Sequence, residues 1–337
     1  MLTIAFIGNG KSTYRYHMPF IQKHGQFKVK TIYSRTAGTW PKLDGIAYTH
    51  DIQDVLTDSE LDLVVITTPH TVHYELAKAC LEAGKNVLLE KPFTETAAEA
   101  RELFALAKEK GLFLQAYQNR RFDSDFLTVQ KVIESGKLGD LLELEMHFDY
   151  YRPEIPESVD FFDNATSYLY GHACHTLDQV ISYFGLPHKV HYDVRQLLGD
   201  GRMNDYFDLD LYYEGPLKIS VKSSYFRLKE RPSFIVYGKK GVFVKESKDR
   251  QEADLKRFYM PTNPDFGLDF PEHYGTLTYI DDQGQYREEK VISEVGDYTC
   301  YYQYVYETLA NGAPKLIKDE ETIALMEMLE EGLKTLK

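Results

Sequence analysis

Over the first 120 residues, short continuous apolar runs alternate with segments of helical period. Leu2–Ile7 (Leu-Thr-Ile-Ala-Phe-Ile) reads as a buried strand that ends at Gly8, and Lys28–Tyr33 alternates as a second. Leu61–Thr67, with Leu63, Val64, Val65 and Ile66 at its centre, is apolar throughout, as expected where helices cover both faces of a sheet. Asn86–Leu89 and Leu112–Ala116 supply two more strands. Between these runs, His73–Ala83 and Ala97–Lys110 have helical spacing, with Gly84 and Gly111 as C-terminal stops. Strand and helix alternate in this way only in a parallel, doubly wound sheet of the Rossmann type, an α/β fold.

The pattern changes near residue 120. A helix over about Phe126–Ser135 is followed by strands of period two, among them Leu144–Tyr150 and Phe207–Tyr213. Gly238-Lys239-Lys240-Gly241 separates Phe234–Tyr237 from Val242–Lys245 as a hairpin, and Asp282-Gln283-Gly284 turns another. Two helices, about Tyr298–Ala310 and Glu320–Leu336, close the chain. This predicts two domains, 1–120 and 121–337, the second an α+β domain on a large, mostly antiparallel open sheet. No repeat, low-complexity tract or flexible linker interrupts the chain, so the domains are expected to pack closely.

Composition narrows the function classes. At 337 residues, 43% hydrophobic and 27% charged, the chain has the make-up of a soluble protein with a substantial core. No apolar run is long enough to span a membrane, and the first one lacks the basic start and length of a signal peptide. Cys80, Cys174 and Cys300 lie far apart, which fits a reducing cytoplasm rather than a disulfide framework. The formal charge of 39 − 52 = −13 argues against nucleic acid as a partner. The 26 tyrosines, concentrated after residue 147, suit half-buried sheets, sugar-binding clefts and interfaces alike.

Candidate chemistry clusters at strand ends. Gly8-Asn9-Gly10-Lys11-Ser12-Thr13 follows the first strand directly, where glycines let the backbone approach a pyrophosphate seated on the next helix N-terminus. Thr13 stands at the third small position and is expected to loosen the helix against its strand. Gly10-Lys11-Ser12 imitates an ATPase phosphate loop, but that motif needs a glycine where Ala5 lies inside a strand. Thr67-Thr68-Pro69-His70 and Glu90-Lys91-Pro92 end later strands at the same carboxyl edge, where such sheets bind ligands. A partly desolvated lysine there can exchange protons with a reacting hydroxyl. In Gly171-His172-Ala173-Cys174-His175-Thr176-Leu177-Asp178, helical spacing puts His175 and Asp178 on one face, so that the carboxylate can orient the imidazole. A core helix with incidental histidines is the larger competing reading, and zinc on His172, Cys174 and His175 is a smaller one. Their spacing is crowded and no second ligand pair accompanies them, so no metal is expected.

Together these residues resemble the Gfo/Idh/MocA oxidoreductase family. The resemblance rests on the Gly-x-Gly turn, Thr68-Pro69, His73, Ala83–Val87, Glu90-Lys91-Pro92, Asn119-Arg120-Arg121-Phe122 and Ala173–Asp178, in order over about residues 1–185. It implies reversible hydride transfer between a nicotinamide and a carbinol carbon, commonly of a sugar or cyclic polyol. It also implies an open sheet that forms the interface of a homodimer or homotetramer. By the same resemblance Lys91 positions the substrate hydroxyl or relays its proton, His175 is acid or base, Asn119 lies near the nicotinamide, and Arg121 is structural. Many relatives carry aspartate where this chain has Gly171, and His172 would point about 100° away from that position on an ideal helix.

The expected cofactor contacts are therefore Gly8, Gly10, Lys11, Ser12, Thr13, Ser34, Arg35, Thr67, Thr68, Pro69, His70, His73, Glu90, Lys91 and Asn119. The expected substrate contacts are Lys91, Tyr151, Arg152, His172 and His175. NADP is favoured over NAD: no Asp or Glu occurs between Met1 and Leu43 to accept the ribose 2′-hydroxyl. Arg35 can instead bond a 2′-phosphate, with Ser34 donating a hydroxyl. The rival reading is a regulatory protein that senses the dinucleotide without catalysis.

Overall fold

The computed structural model describes residues 1–154 and 167–336. They form two compact units, the first made of residues 1–119, 253–266 and 298–326, the second of residues 120–252, 267–297 and 327–337.

The first unit is built on six parallel strands: β1 (Leu2–Ile7), β2 (Phe27–Tyr33), β3 (Ala47–Thr49), β4 (Leu63–Ile66), β5 (Val87–Leu89) and β6 (Leu114–Ala116), in the order β3-β2-β1-β4-β5-β6. This is the doubly wound order that the alternation of strands and helices predicts. Every residue of β4 and β5 and the last four of β1 are buried, because helices cover both faces. The chain leaves β1 and β2 on one side and β4 to β6 on the other. The turn after β1 and the end of β4 therefore open a crevice at the switch point. Helix Ala97–Lys110 begins with a Thr96/Glu99 capping box and stops at Gly111, which is left-handed at φ 66°.

Late sequence returns to this unit. Helix Thr299–Asn311 buries Tyr301 and Tyr302 completely. The Tyr301 hydroxyl donates to the Ala116 carbonyl and accepts from Gln115 Nε2 at 2.8 Å, fastening the helix to β6. Part of the tyrosine excess is thus core.

The second unit holds eight strands: β7 (Leu141–His147), β8 (Lys189–Arg195), β9 (Tyr206–Tyr212), β10 (Lys218–Ser224), β11 (Phe234–Gly238), β12 (Gly241–Lys245), β13 (Gly275–Ile280) and β14 (Tyr286–Val291). Their order is β14-β13-β12-β11-β7-β10-β9-β8, antiparallel except for β7 with β10. Along β9, Phe207, Leu209 and Leu211 are fully buried while Asp208 and Asp210 lie on the other face. That face carries an ionic ladder, with Lys218–Glu143 at 2.8 Å and Lys222–Asp208 at 3.5 Å.

Helix Cys174–Phe184 is buried over its first eight residues and is tied to the 3₁₀ turn Asn119–Phe122. Arg121 clasps Asp178 with both forks, Nε to Oδ2 at 2.8 Å and Nη2 to Oδ1 at 2.7 Å. Gln179 Nε2 donates to the Arg120 carbonyl at 2.6 Å. Both members of the Arg121–Asp178 pair are nearly inaccessible, so removing one strands the other's charge in a medium that solvates it poorly. Asp178→Asn should destabilise the protein by about 3–5 kcal/mol. A double Arg121→Met, Asp178→Leu variant should regain most of that loss. Denaturant unfolding of both variants tests this, and a double variant as unstable as the single one would contradict it.

Candidate functional site

The first unit supplies a glycine turn closed by hydroxyl groups. The ladder bonds run on past the strands, from Gly8 N–H to the Tyr33 carbonyl and from Thr67 N–H to the Ile7 carbonyl, both at 2.8 Å. Gly8 has φ 131°, and a Cβ there would lie 2.3 Å from Thr67 Oγ1, so only glycine lets the turn lie against β4. Thr13 does not loosen the helix. Its side chain is fully buried, its hydroxyl donates to the Gly8 carbonyl at 2.7 Å, and it lies 2.7 Å from Thr67 Oγ1. Two hydrogen bonds replace the close contact a glycine would make.

Around this turn the polar groups are left open. A Cβ at Gly10 would meet nothing within 4 Å. Asn9 Oδ1 and Thr68 Oγ1 are buried without a partner. The helix that starts at Ser12 has no side-chain cap, which leaves its first amides available. Lys11 and Arg35 are exposed, and among the described residues neither forms an ion pair. The Thr68 hydroxyl, the helix amides, Lys11 and Arg35 can donate to an anionic, oxygen-rich ligand, whereas the Asn9 amide oxygen can only accept. The Ser34 hydroxyl, expected to face that ligand, donates instead to the Thr36 carbonyl at 2.8 Å.

The segment after β2 is pinned beside the turn. Gly38 comes so close to Asn9 that a Cβ would clash at 2.2 Å. Trp40 stacks on Tyr14 with ring centroids 5.2 Å apart and meets Phe258 at 6.0 Å. Phe258 also carries the Arg15 guanidinium at 5.0 Å and is the single non-glycine residue with positive φ among those described.

At the end of β5, Glu90 is the centre of a buried network. It accepts from the Ser12 hydroxyl, from the Lys91 backbone N–H at 3.0 Å, and pairs with His17 Nε2 at 3.0 Å. His17 Nδ1 meets the Tyr302 hydroxyl at 2.6 Å, and the imidazole lies 4.0 Å from the Tyr117 ring. Burial alone would raise the Glu90 pKa. The His17 hydrogen bond and charge, Lys91 and Ser12 outweigh it and hold the carboxyl down at about 2. Glu90 is therefore ionised and turned inward. Lys91, next in the chain, is half-buried, and among the described residues its ammonium has no hydrogen bond or ion pair.

His73 braces this corner, its ring nitrogens 2.9 Å from the Pro92 carbonyl and 3.1 Å from that of Thr68. Burial pushes its pKa down against the opposing effect of those carbonyls and of Glu90. His70 opens a short 3₁₀ turn directly after the exposed Pro69. Asn119 is buried at the start of the 3₁₀ turn after β6.

The second unit holds the other predicted residues. His175 is 8% exposed in the first turn of helix Cys174–Phe184. The carboxylate expected to orient it, Asp178, has both oxygens on Arg121. The preceding stretch Leu169–Ala173 is π-helical, so ideal α-helical angles do not place His172. Its ring lies against Tyr168 (4.4 Å) and Tyr150 (5.0 Å), with Nε2 3.3 Å from the Tyr225 hydroxyl. Arg152 joins the same cluster over the Tyr150 ring at 4.7 Å, whereas Tyr151 is 53% exposed and bridges Phe226. Gly171 has open space where a Cβ would be. Sequence reasoning did not single out Asn9, His17, Tyr150, Tyr168, Tyr225 or Tyr302. The tyrosine excess was the one available signal, and it does not say which tyrosines gather.

Because the Glu90 carboxyl titrates near 2 in the folded chain against 4.5 ordinarily, the unfolded chain binds its proton more readily. Its contribution to stability is complete above about pH 5 and is lost as pH falls toward 2. Glu90→Gln should give a shallower acid limb of stability against pH than the wild type. Parallel acid limbs in urea titrations between pH 2 and 6 would contradict the assigned ionisation.

Comparisons with known proteins agree with this construction. Residues 2–118 match "Oxidoreductase family, NAD-binding Rossmann fold", and residues 130–335 match "Oxidoreductase family, C-terminal alpha/beta domain". The chain is 46% identical over 336 residues to the uncharacterized oxidoreductase YhhX of Escherichia coli, covering 98% of this chain and 96% of that protein. It is 32% identical to the scyllo-inositol 2-dehydrogenase (NADP(+)) IolW of Bacillus subtilis, covering 100% and 94%. A crystal structure of an oxidoreductase from Bacillus cereus superposes with a TM-score of 0.93 at 42% identity, covering 99% and 96%. Sequence motifs, strand order and relatives thus agree: the chain belongs to the Gfo/Idh/MocA oxidoreductase family.

Proposed function

We propose that the protein transfers a hydride between a nicotinamide dinucleotide, NADP in preference to NAD, and a carbinol or carbonyl carbon of a small molecule of the sugar or cyclic polyol class. The observation that carries this reading is the half-buried ammonium of Lys91, which among the described residues forms no hydrogen bond or ion pair, beside a carboxylate already bonded to His17 and Ser12. Glu90 stays ionised, with Lys91 contributing to the field that holds it so, and the Lys91 N–H groups are left for a ligand.

A bound nicotinamide supplies the hydride acceptor or donor. The chain's own part is to bind and to handle the proton. Gly8 and Gly10 admit the pyrophosphate to the backbone, Thr68 offers a hydroxyl donor, and Arg35 offers a guanidinium to a 2′-phosphate. Lys91 Nζ holds the substrate hydroxyl and takes or returns its proton, and His175 acts as acid or base. The name of the relative IolW, a scyllo-inositol 2-dehydrogenase (NADP(+)), supports both the cofactor and the substrate class. The half-exposed ionic face of the eight-stranded sheet is the proposed surface of a homodimer or homotetramer, and the compartment is the cytoplasm.

Lys91→Ala should lower kcat by about 10²–10⁴-fold while dinucleotide affinity stays within a few-fold, since the lost role belongs to the transition state. Wild-type turnover in that variant would end the assignment. Arg35→Ala should weaken NADPH binding and leave NADH nearly untouched. A wild type that prefers NADH, or equal weakening of both, makes Arg35 a bystander. His175→Asn should change the pH–rate profile, because asparagine does not titrate near neutrality. Cofactor binding with no turnover across a sugar and polyol panel would favour a dinucleotide sensor instead.

A further inference from the structure

The second unit contains two arginines that, among the described residues, meet no carboxylate. Several others in it do: Arg120 bonds Asp123 and Glu252, Arg121 clasps Asp178, and Arg231 clasps Asp149 at 2.8 Å. Arg152 and Arg227 differ. Arg152 sits over the Tyr150 ring at 4.7 Å and the Tyr225 ring at 5.7 Å, and among the described residues it pairs with no carboxylate. Arg227 is half-buried, its Nε is buried with no hydrogen-bond partner, and it too has no carboxylate. The backbone places them together, since Arg152 N–H donates to the Tyr225 carbonyl at 2.8 Å and Arg227 N–H to the Tyr150 carbonyl at 3.1 Å.

In a chain with 52 acidic and 39 basic side chains, two arginines on paired backbone segments, Arg152 exposed and Arg227 half-buried, with no carboxylate partner among the described residues are out of character. A buried, unsatisfied guanidinium nitrogen costs free energy unless something arrives to meet it. A guanidinium over aromatic rings keeps its N–H edges for a planar or tetrahedral oxyanion, which it binds in a bidentate way. The same tyrosines connect the pair to the helix that carries His175. Tyr225 and Tyr150 enclose His172, which lies three residues before it, and Gly171 leaves space beside them.

We propose that Arg152 and Arg227 form an anion subsite, so that the substrate is an acidic sugar or polyol, bearing a carboxylate or a phosphate, rather than a neutral one. This rests on the reading above that the helix bearing His175 meets the substrate. The tyrosine rings provide the apolar face against which the carbon skeleton lies, and the guanidiniums provide the charge.

Calorimetric titration of the full chain, saturated with NADP⁺, tests it with five probes: D-gluconate, D-glucuronate, D-glucose 6-phosphate, D-glucose and myo-inositol. At least one anion should bind tenfold or more tightly than both neutral compounds, and the gap should narrow as salt rises. Whether a carboxylate or the phosphate leads identifies the group. Arg152→Gln should lower the affinity of that anion about tenfold and that of the neutral compounds by much less, so that the anion-to-neutral ratio falls. Arg152→Lys should recover only part, because an ammonium keeps the charge but not the fork. Arg227→Gln should act in the same direction. If that variant does not fold, the two Arg152 variants decide. Equal binding of all five probes, no binding of any anion, or an anion-to-neutral ratio unmoved by Arg152→Gln overturns the proposal. Arginine-dependent anion binding without NADP⁺ reduction would instead refute the oxidoreductase reading and leave the subsite standing. Turnover of neutral polyols with no anion preference would do the reverse.

Discussion

A carboxylate buried at the end of a parallel strand is the constraint around which the first unit is arranged. Glu90 cannot be ionised there without partners, and each partner comes from a different part of the chain. Ser12 belongs to the glycine turn, His17 to the helix after it, and the amide of Lys91 to the strand end itself. His17 in turn reaches Tyr302, more than two hundred residues away in sequence. One buried charge therefore sets the start of the first helix, the docking of a late helix and the direction of the Lys91 backbone. The Lys91 ammonium lies in the field of that carboxylate and, among the described residues, is not hydrogen-bonded to it.

The second unit solves a similar problem differently. Here the buried charge pair, Arg121 with Asp178, is structural and anchors the helix that presents His175. The chemistry gathers in an aromatic wall of Tyr150, Tyr168 and Tyr225 around His172. Burial raises the pKa of all three phenols, so they stay protonated and can donate. The π-helical stretches Ser12–His17 and Leu169–Ala173 begin both helices that carry these residues. Bonding from i to i+5 shifts side chains off the α-helical register, a feature frequent where a helix must aim residues at a site.

Sequence alone determined a good deal. Continuous apolar runs separated by helix-period segments require a sheet covered on both faces, which is the doubly wound class observed; the edge strand β3 and the order β3-β2-β1-β4-β5-β6 came from the structure. Period-two alternation, as along Phe207, Leu209 and Leu211, and the glycine-marked hairpin at Gly238–Gly241 announced the antiparallel sheet. The glycine turn and Glu90-Lys91-Pro92 were legible because backbone conformation and strand ends are local properties.

Only the tertiary structure decided the partnerships. Asp178 shares a helix face with His175, and Arg121 clasps it from another segment. Ser34 is placed to face a ligand, yet its hydroxyl turns to Thr36. Thr13 breaks the glycine pattern, yet its hydroxyl closes the turn. The return of residues 253–266 and 298–326 to the first unit, and with it the Glu90–His17–Tyr302 chain, has no trace in local periodicity. The physical reason is common to all of these. Hydrophobic period is written in neighbouring residues, whereas a buried charge or hydroxyl takes whichever partner the folded chain brings within about 3 Å, and that choice is made by contacts distant in sequence.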